Sequence, residues 1–326
     1  MDILIFLISF IAFYIISVPI HELGHLVLGL FSGYRFNFFH LFSFVWVKED
    51  GRIVFKKVGQ GFGDGSCSMS PPDDEKDFRF VWMSLGGGLF NIITAFILIA
   101  IAAAISNLPP FLLAGIIANM IGGLLNLIPI DLIKPNDGMT ILKASQSPFT
   151  RHAYYTLLKV TDDLARGKRL RDYEDTVLAV PESEDLSNYL IANTVNCEAS
   201  RLIDKGMYDE AIAQFDRLDL DKLPSNYKNA FQLDYLYYYC VIAPDYGKAK
   251  QIYEQPKMSK FLNIPLPSHT RTLAAYRFFV TGNKDTARDL VQKAKVQIDS
   301  YPVKGIRLME KDYLDQLEKL MQAQPR

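Results

Sequence analysis

The sequence predicts a mainly α protein: three transmembrane helices with a membrane-associated β-hairpin, followed by a helical-repeat domain on one side of the membrane. Three observations lead there. Charge is segregated, with 9 Lys and Arg and 11 Asp and Glu in residues 1–150 against 26 and 25 in residues 151–326. Two long stretches of the first part, Ile3–Ile20 and Ser84–Ile130, hold no charge at all. In the second part a short helical pattern returns every 38 residues.

A hydrocarbon core about 30 Å thick takes roughly 20 apolar residues per helix. The first uncharged run extends into a helix over 3–32, and the second divides at Ser106-Asn107-Leu108-Pro109-Pro110 into helices over 84–105 and 110–133. The first run has no basic segment before it and no small-residue cleavage pattern after it, so it reads as an anchor rather than a cleaved signal peptide. Segment 33–83 carries Arg35, Lys48, Arg52, Lys56, Lys57, Lys76 and Arg79, while the turn 106–110 carries no Lys or Arg. The positive-inside rule then places the N-terminus outside and both the loop and the C-terminal half in the cytoplasm. Near-balanced charge in each half argues against a nucleic-acid partner. In a reducing compartment Cys67, Cys197 and Cys240 read as free thiols.

Arg35–Val58 is too short to span, is rich in Phe and Val, and contains the turn signal Asp50-Gly51. It reads as a β-hairpin at the cytoplasmic membrane surface, with Trp46 and the phenylalanines touching lipid. His40 within it reads as a lone surface histidine. The glycine-rich Gly59–Gly65 lacks the Lys-Ser/Thr ending of a phosphate-binding loop.

The stretch SVPIHELGHLVLGL (Ser17–Leu30) places ionisable groups inside an apolar helix, where each costs about 2.5–3.5 kcal/mol on insertion scales. In HELGH, His21 and His25 project from one helix face a turn apart and can share a zinc ion, with Glu22 within reach of a water on it. Pro19, two residues earlier, either opens the helix near the site or is an ordinary membrane-helix proline. A third protein ligand is required. The first and third helices run in the same direction, so HELGH and Asn126–Met139 (NLIPIDLIKPNDGM) reach one depth. Two carboxylates compete there: Asp131, which could cap a helix end, and Asp137, which could form a turn or start a short helix.

HELGH in the first helix, GGGLFN (Gly86–Asn91) in the second, and NLIP with NDG (Asn126–Pro129, Asn136–Gly138) in the third together resemble the site-2 protease family of intramembrane zinc metalloproteases. The resemblance covers roughly residues 1–145. It implies a metalloprotease core in which His21, His25 and Asp137 bind Zn2+, Glu22 is the general base, and Asn91 positions substrate or stabilises the oxyanion. Two departures stand out: Asp137 follows Asn126 by eleven positions where the family has eight, which keeps Asp131 in reserve, and Gly88 replaces a common proline. The resemblance also implies regulated cleavage of a transmembrane protein substrate, a single-pass regulator or signal-peptide remnant, in a bacterial cell membrane.

In the second part YDEAIAQF, YGKAKQIY and KDTARDLV align, so that Ala211, Ala249 and Ala287 recur, followed by Phe215, Tyr253 and Val291. Leu202, Cys240 and Phe278 recur in the preceding helices. A small and a large residue on one face suit packed helix pairs. The period resembles tetratricopeptide repeats, here over about 186–304 with a capping helix over 306–322, which implies binding of a protein substrate or regulator. Tyr235, Tyr237, Tyr238 and Tyr239 read as packing residues, and His152 and His269 have no ligand pattern near them. The expected domains are 1–148 (core), 149–185 (connector) and 186–326 (repeats). The rival readings are a non-catalytic membrane scaffold working through its repeats, and a HExxH enzyme of another clan whose third ligand is a glutamate in the soluble half.

Overall fold

The computed structural model of the chain describes residues 2–49, 51–57, 65–130 and 134–323. The fold is mainly helical with a small antiparallel sheet, and it divides into two compact units between Leu158 and Lys159.

The first unit opens with α1 (Asp2–Phe31), followed later by α2 (Phe80–Ala104) and α3 (Pro110–Leu127). All three are long and apolar enough to cross a membrane. Their outer faces expose Ile3, Leu7, Ile11, Phe96 and Ile97, as expected of helices whose surroundings are lipid rather than water. Close approach is built from small residues: a Cβ on Gly24 would lie 2.1 Å from the Gly86 carbonyl oxygen, and one on Gly86 2.4 Å from that of Gly24. The α1 and α2 backbones therefore touch where HELGH faces GGGLFN. α3 stops at Leu127 instead of running to 133 because Pro129 disfavours helical backbone at Ile128, which is extended (φ −72, ψ 125). The short α4 (Asp137–Ala144) follows, and then α5 (Pro148–Arg166).

Between α1 and α2 lie β1 (Arg35–Leu41), β2 (Phe44–Glu49), β3 (Arg52–Lys57) and β4 (Gly65–Ser70), ordered β3-β2-β1-β4 with every pairing antiparallel. The expected hairpin is present as β2–β3, with Glu49 opposite Arg52 and Gly51 at φ +80. It is half of a larger sheet. The β1–β2 turn escapes a sequence reading because Phe42, not Gly or Asn, takes the left-handed conformation (φ +54). β4, GSCSMS, has no apolar alternation; it is a strand because β1 offers it an edge and α1 lies behind it, with Gly65 against Val18 and Met69 against Gly29. His40 is not at the surface. It is fully buried in β1, opposite Val45 on one side and Ser66 on the other.

The second unit takes up the rest of α5 and then α6 (Tyr189–Lys205), α7 (Tyr208–Phe215), α8 (Ser225–Tyr237), α9 (Tyr246–Tyr253), α10 (Met258–Leu262), α11 (Pro267–Ala275), α12 (Lys284–Ser300) and α13 (Lys304–Ala323). α7, α9 and α12 begin at 208, 246 and 284, and α8 and α11 both end in π-helical turns, Tyr238–Ile242 and Tyr276–Val280, the same interval apart. Ala211, Ala249 and Ala287 have no exposed surface, and Leu202, Cys240 and Phe278 are buried. Phe215 and Val291 are buried beside them, while Tyr253 is half-buried and stacks on Tyr276 with ring centroids 4.1 Å apart. Tyr235 packs on Phe215 (4.8 Å) and Tyr237 lies under Arg271. α13 adds Leu314, Leu317 and Met321 to the same apolar core.

Candidate metal centre

α1 continues through Pro19, so His21 and His25 stand one turn apart on a helix, their rings edge to face at 4.8 Å. Each is aimed by α2. His25 Nδ1 donates to the Met83 carbonyl oxygen at 2.8 Å, and because a carbonyl only accepts, the neutral ring has its lone pair on Nε2. Gly87 makes room for the His21 ring, since a Cβ there would meet its Cε1 and Nε2 at 2.4 Å.

Asp137 arrives from the far side of α3 as the first residue of α4, whose N-cap is Asn136. A Cβ on Gly138 would lie 2.1 Å from the Leu127 carbonyl oxygen, so glycine lets the α4 start press against the end of α3. Asp137 Oδ2 stands 3.1 Å from His21 Nε2 and 3.4 Å from His25 Nε2, and the two Nε2 atoms are 3.1 Å apart. Asp131 lies outside the described residues. Among those described, His21, His25 and Asp137 form a group that could hold a metal ion.

The donor set fits zinc. Ligand atoms about 2.0–2.2 Å from a tetrahedral zinc stand roughly 3.3–3.5 Å from each other, close to the edges of this triangle. Asp137 Oδ2 and His21 Nδ1 are buried without a hydrogen-bond partner. Orphaned buried polar atoms are costly, and lone pairs this close repel unless a proton or cation stands between them.

The group lines a cavity of about 580 Å³ together with Glu22, Asn91, Tyr14, Ser17 and Asn126. Glu22 is buried beside the first residue of β4: its Cγ and Oε1 lie 3.0 and 3.3 Å from where a Gly65 Cβ would be. Asn91 is buried on α2 with its Oδ1 unpartnered and its Nδ2 facing Gly122 of α3.

Several cavity residues carry no signal in the sequence. Gly65–Met69 of β4, Ser84, Lys134 and Tyr154 all line it. Tyr154 packs edge-on against Phe78 and Phe80; burial pushes its phenol up to about 12, against a hydrogen bond with Ser84. Burial likewise pushes the Cys67 thiol up to about 12, with the Glu22 charge adding to it. Lys134 is the one Lys or Arg on the cavity wall among the described residues. These groups come from α2, α5 and the sheet, so only tertiary packing reveals them. The remaining histidines join other partners: exposed His152 pairs with Glu75 at 2.8 Å, and buried His269 donates through Nδ1 to the Phe261 carbonyl oxygen at 2.8 Å.

No family model matches the chain, and neither does any curated protein or solved structure.

Proposed function

We propose that this protein is an intramembrane zinc metalloendopeptidase, resembling the site-2 protease family, that cleaves a membrane-embedded segment of a single-pass protein or signal-peptide remnant. One observation carries the reading. His21 Nε2, His25 Nε2 and Asp137 Oδ2 converge 3.1–3.4 Å from one another on a cavity wall shared with Glu22. Two histidines and a carboxylate are a common ligand set of hydrolytic zinc, with the fourth position left for water.

His21, His25 and Asp137 would hold the ion, which when bound polarises a scissile carbonyl and acidifies a water. Glu22, the acid–base group beside them, takes the proton from the attacking water and returns it to the leaving amine. The Asn91 amide lies on the same cavity wall, where it can bond the substrate carbonyl oxygen as charge develops. β4 is an outer strand of the sheet and lines the cavity beside Glu22, so an unwound substrate segment can pair with its main chain. That arrangement would present a peptide bond to the catalytic groups in an extended form.

The outer face of the sheet supports this reading. β2 and β3 turn Phe44, Ile53 and Phe55 outward, with Phe44 stacked on Phe55 at 5.5 Å and Lys48 and Lys57 on the same face. Aromatic rings rimmed by lysines suit the headgroup zone on the cytoplasmic side. The 38-residue helix pairs form a tetratricopeptide-like array in the cytoplasm that recruits the substrate or a regulator.

The test compares membrane proteomes of cells carrying the wild type, Glu22→Gln or Asp137→Ala, alongside zinc content of the purified chains. The expected result is a membrane protein that builds up uncut in both variants, with zinc retained in Glu22→Gln and lost in Asp137→Ala. Unchanged zinc in both variants with no accumulating protein would sink the reading and favour a membrane scaffold.

A further inference from the structure

The segment joining α3 to Asp137 raises a mechanical question, because a ligand carried by a loop is only as well placed as the loop. α3 ends at Leu127, and Asp137 begins α4. Between them, a single side chain makes four hydrogen bonds. Asn136 Nδ2 donates to the carbonyl oxygens of Leu125 (2.6 Å) and Ile128 (2.7 Å). Asn136 Oδ1 accepts from the backbone N–H groups of Met139 (2.9 Å) and Ile130 (3.2 Å).

Each bond answers a need set by the sequence. The helical donor for the Leu125 carbonyl would be residue 129, which is proline and has no N–H. The Met139 N–H is an orphan of the first turn of α4, and Asn136 is its N-cap. The Asn136 backbone N–H also donates to the Ile130 carbonyl oxygen (3.3 Å), so the chain is pinned together at Ile130 and Asn136. Both donors and both acceptor sites of the amide are therefore used, three of the four bonds going to α3 and its exit (Leu125, Ile128 and Ile130) and one to α4 (Met139). Gly138, pressed on the Leu127 carbonyl, holds the next residue against the same helix end.

We propose that Asn136 is the positioning residue of the metal centre: it clips the start of α4 to the end of α3, so that Asp137 meets His21 and His25 whatever the length of segment 131–135. The inference rests on the metal-site reading. It accounts for the long Asn126-to-Asp137 spacing, since the clip, and not the number of intervening residues, sets where the carboxylate lies. A plain N-cap would need only the Oδ1 bond to Met139. The two Nδ2 bonds to α3 are what a cap does not explain.

The experiment titrates cobalt(II) into the purified full-length chain in detergent, reading the visible d–d bands and metal per chain. Wild type binds one equivalent and His21→Ala binds none. Asn136→Asp keeps a good N-cap but has no N–H to give α3, and its added negative charge by itself favours a cation. Its cobalt dissociation constant is nonetheless expected to rise about 10–100-fold, the usual effect of losing a residue that orients a metal ligand. Two glycines inserted between Leu132 and Ile133 are expected to leave the constant within about threefold of wild type.

Wild-type affinity in Asn136→Asp overturns the clip and leaves Asn136 a cap. A Gly-Gly insertion that weakens binding as much as Asn136→Asp also overturns it, because loop length would then set the ligand. Absence of cobalt binding in the unmutated chain overturns the metal-site reading itself, and is distinguishable because no variant is involved.

Discussion

Both units bury ionisable side chains, but they complete them in opposite ways. In the second unit three buried guanidinium groups meet carboxylates: Arg271 bonds both oxygens of Glu310 at 2.8 and 3.0 Å, Arg201 both oxygens of Glu198, and Arg169 pairs with Asp204 and Asp312. In the first unit two imidazole nitrogens and one carboxylate oxygen, Asp137 Oδ2, face one another at 3.1–3.4 Å. Burial is similar and sign is not. Opposite charges close a structural cluster, whereas converging lone pairs form a cluster that only a cation or protons can close.

The largest expected effect follows directly. His25→Ala or Asp137→Ala should bring zinc in the purified chain to background by elemental analysis, while the folded state persists. Next is the second unit's cluster, where Glu310→Gln leaves Arg271 buried without its charge partner. Breaking one side of a buried pair costs about 3–5 kcal/mol. At roughly 2–4 °C per kcal/mol for a unit of this size, its thermal midpoint should fall by about 10 °C. A shift under 2 °C would show that the pairing is not what holds the second unit, and would break the contrast.

A smaller effect separates ligand geometry from packing inside the membrane unit. Gly87→Ala puts a methyl 2.4 Å from the His21 ring, so the ring must move, and the cobalt dissociation constant should rise about tenfold. Gly88→Ala instead meets Leu127 and the Gly123 carbonyl oxygen, neither of them a ligand, and should lower stability while leaving coordination spectra unchanged. Equal effects on the spectra from both variants would mean that helix spacing alone sets the site.

How much of this was legible in the sequence depends on how local each cause is. The HELGH pair could be read because i and i+4 share a helix face whatever the fold. The helix pairs could be read because an alanine recurring on one face is a packing demand repeated, and Ala211, Ala249 and Ala287 are all fully buried. Asp137 could only be narrowed to one of two carboxylates, since what aims it is Asn136 reaching back to Leu125 and Ile128. β4 was invisible because its partner strand, not its own composition, makes it a strand. Tyr154 and Ser84 were invisible because their meeting depends on how α5 crosses α2.

Asp234, beside the Arg271–Glu310 pair of the second unit, yields the smallest and sharpest test. Burial pushes it up to about 7; Arg271 and a hydrogen bond from Asn196 oppose the shift and Glu310 adds to it. An unfolded aspartate titrates near 3.9, so between about pH 4 and 7 the folded chain binds the extra proton. Stability contributed by this group is therefore greatest at the acid end of that window and is lost as pH rises through about 7. Asp234→Asn removes the titration while keeping an oxygen for the Asn196 bond. The midpoint of the variant relative to wild type should then rise between pH 5 and pH 8 by a few degrees, measured as the difference between the two chains so that other titrating groups cancel. A constant difference across that range would show that Asp234 shares the Arg271 charge with Glu310, and that the second unit's cluster is a fully compensated triad.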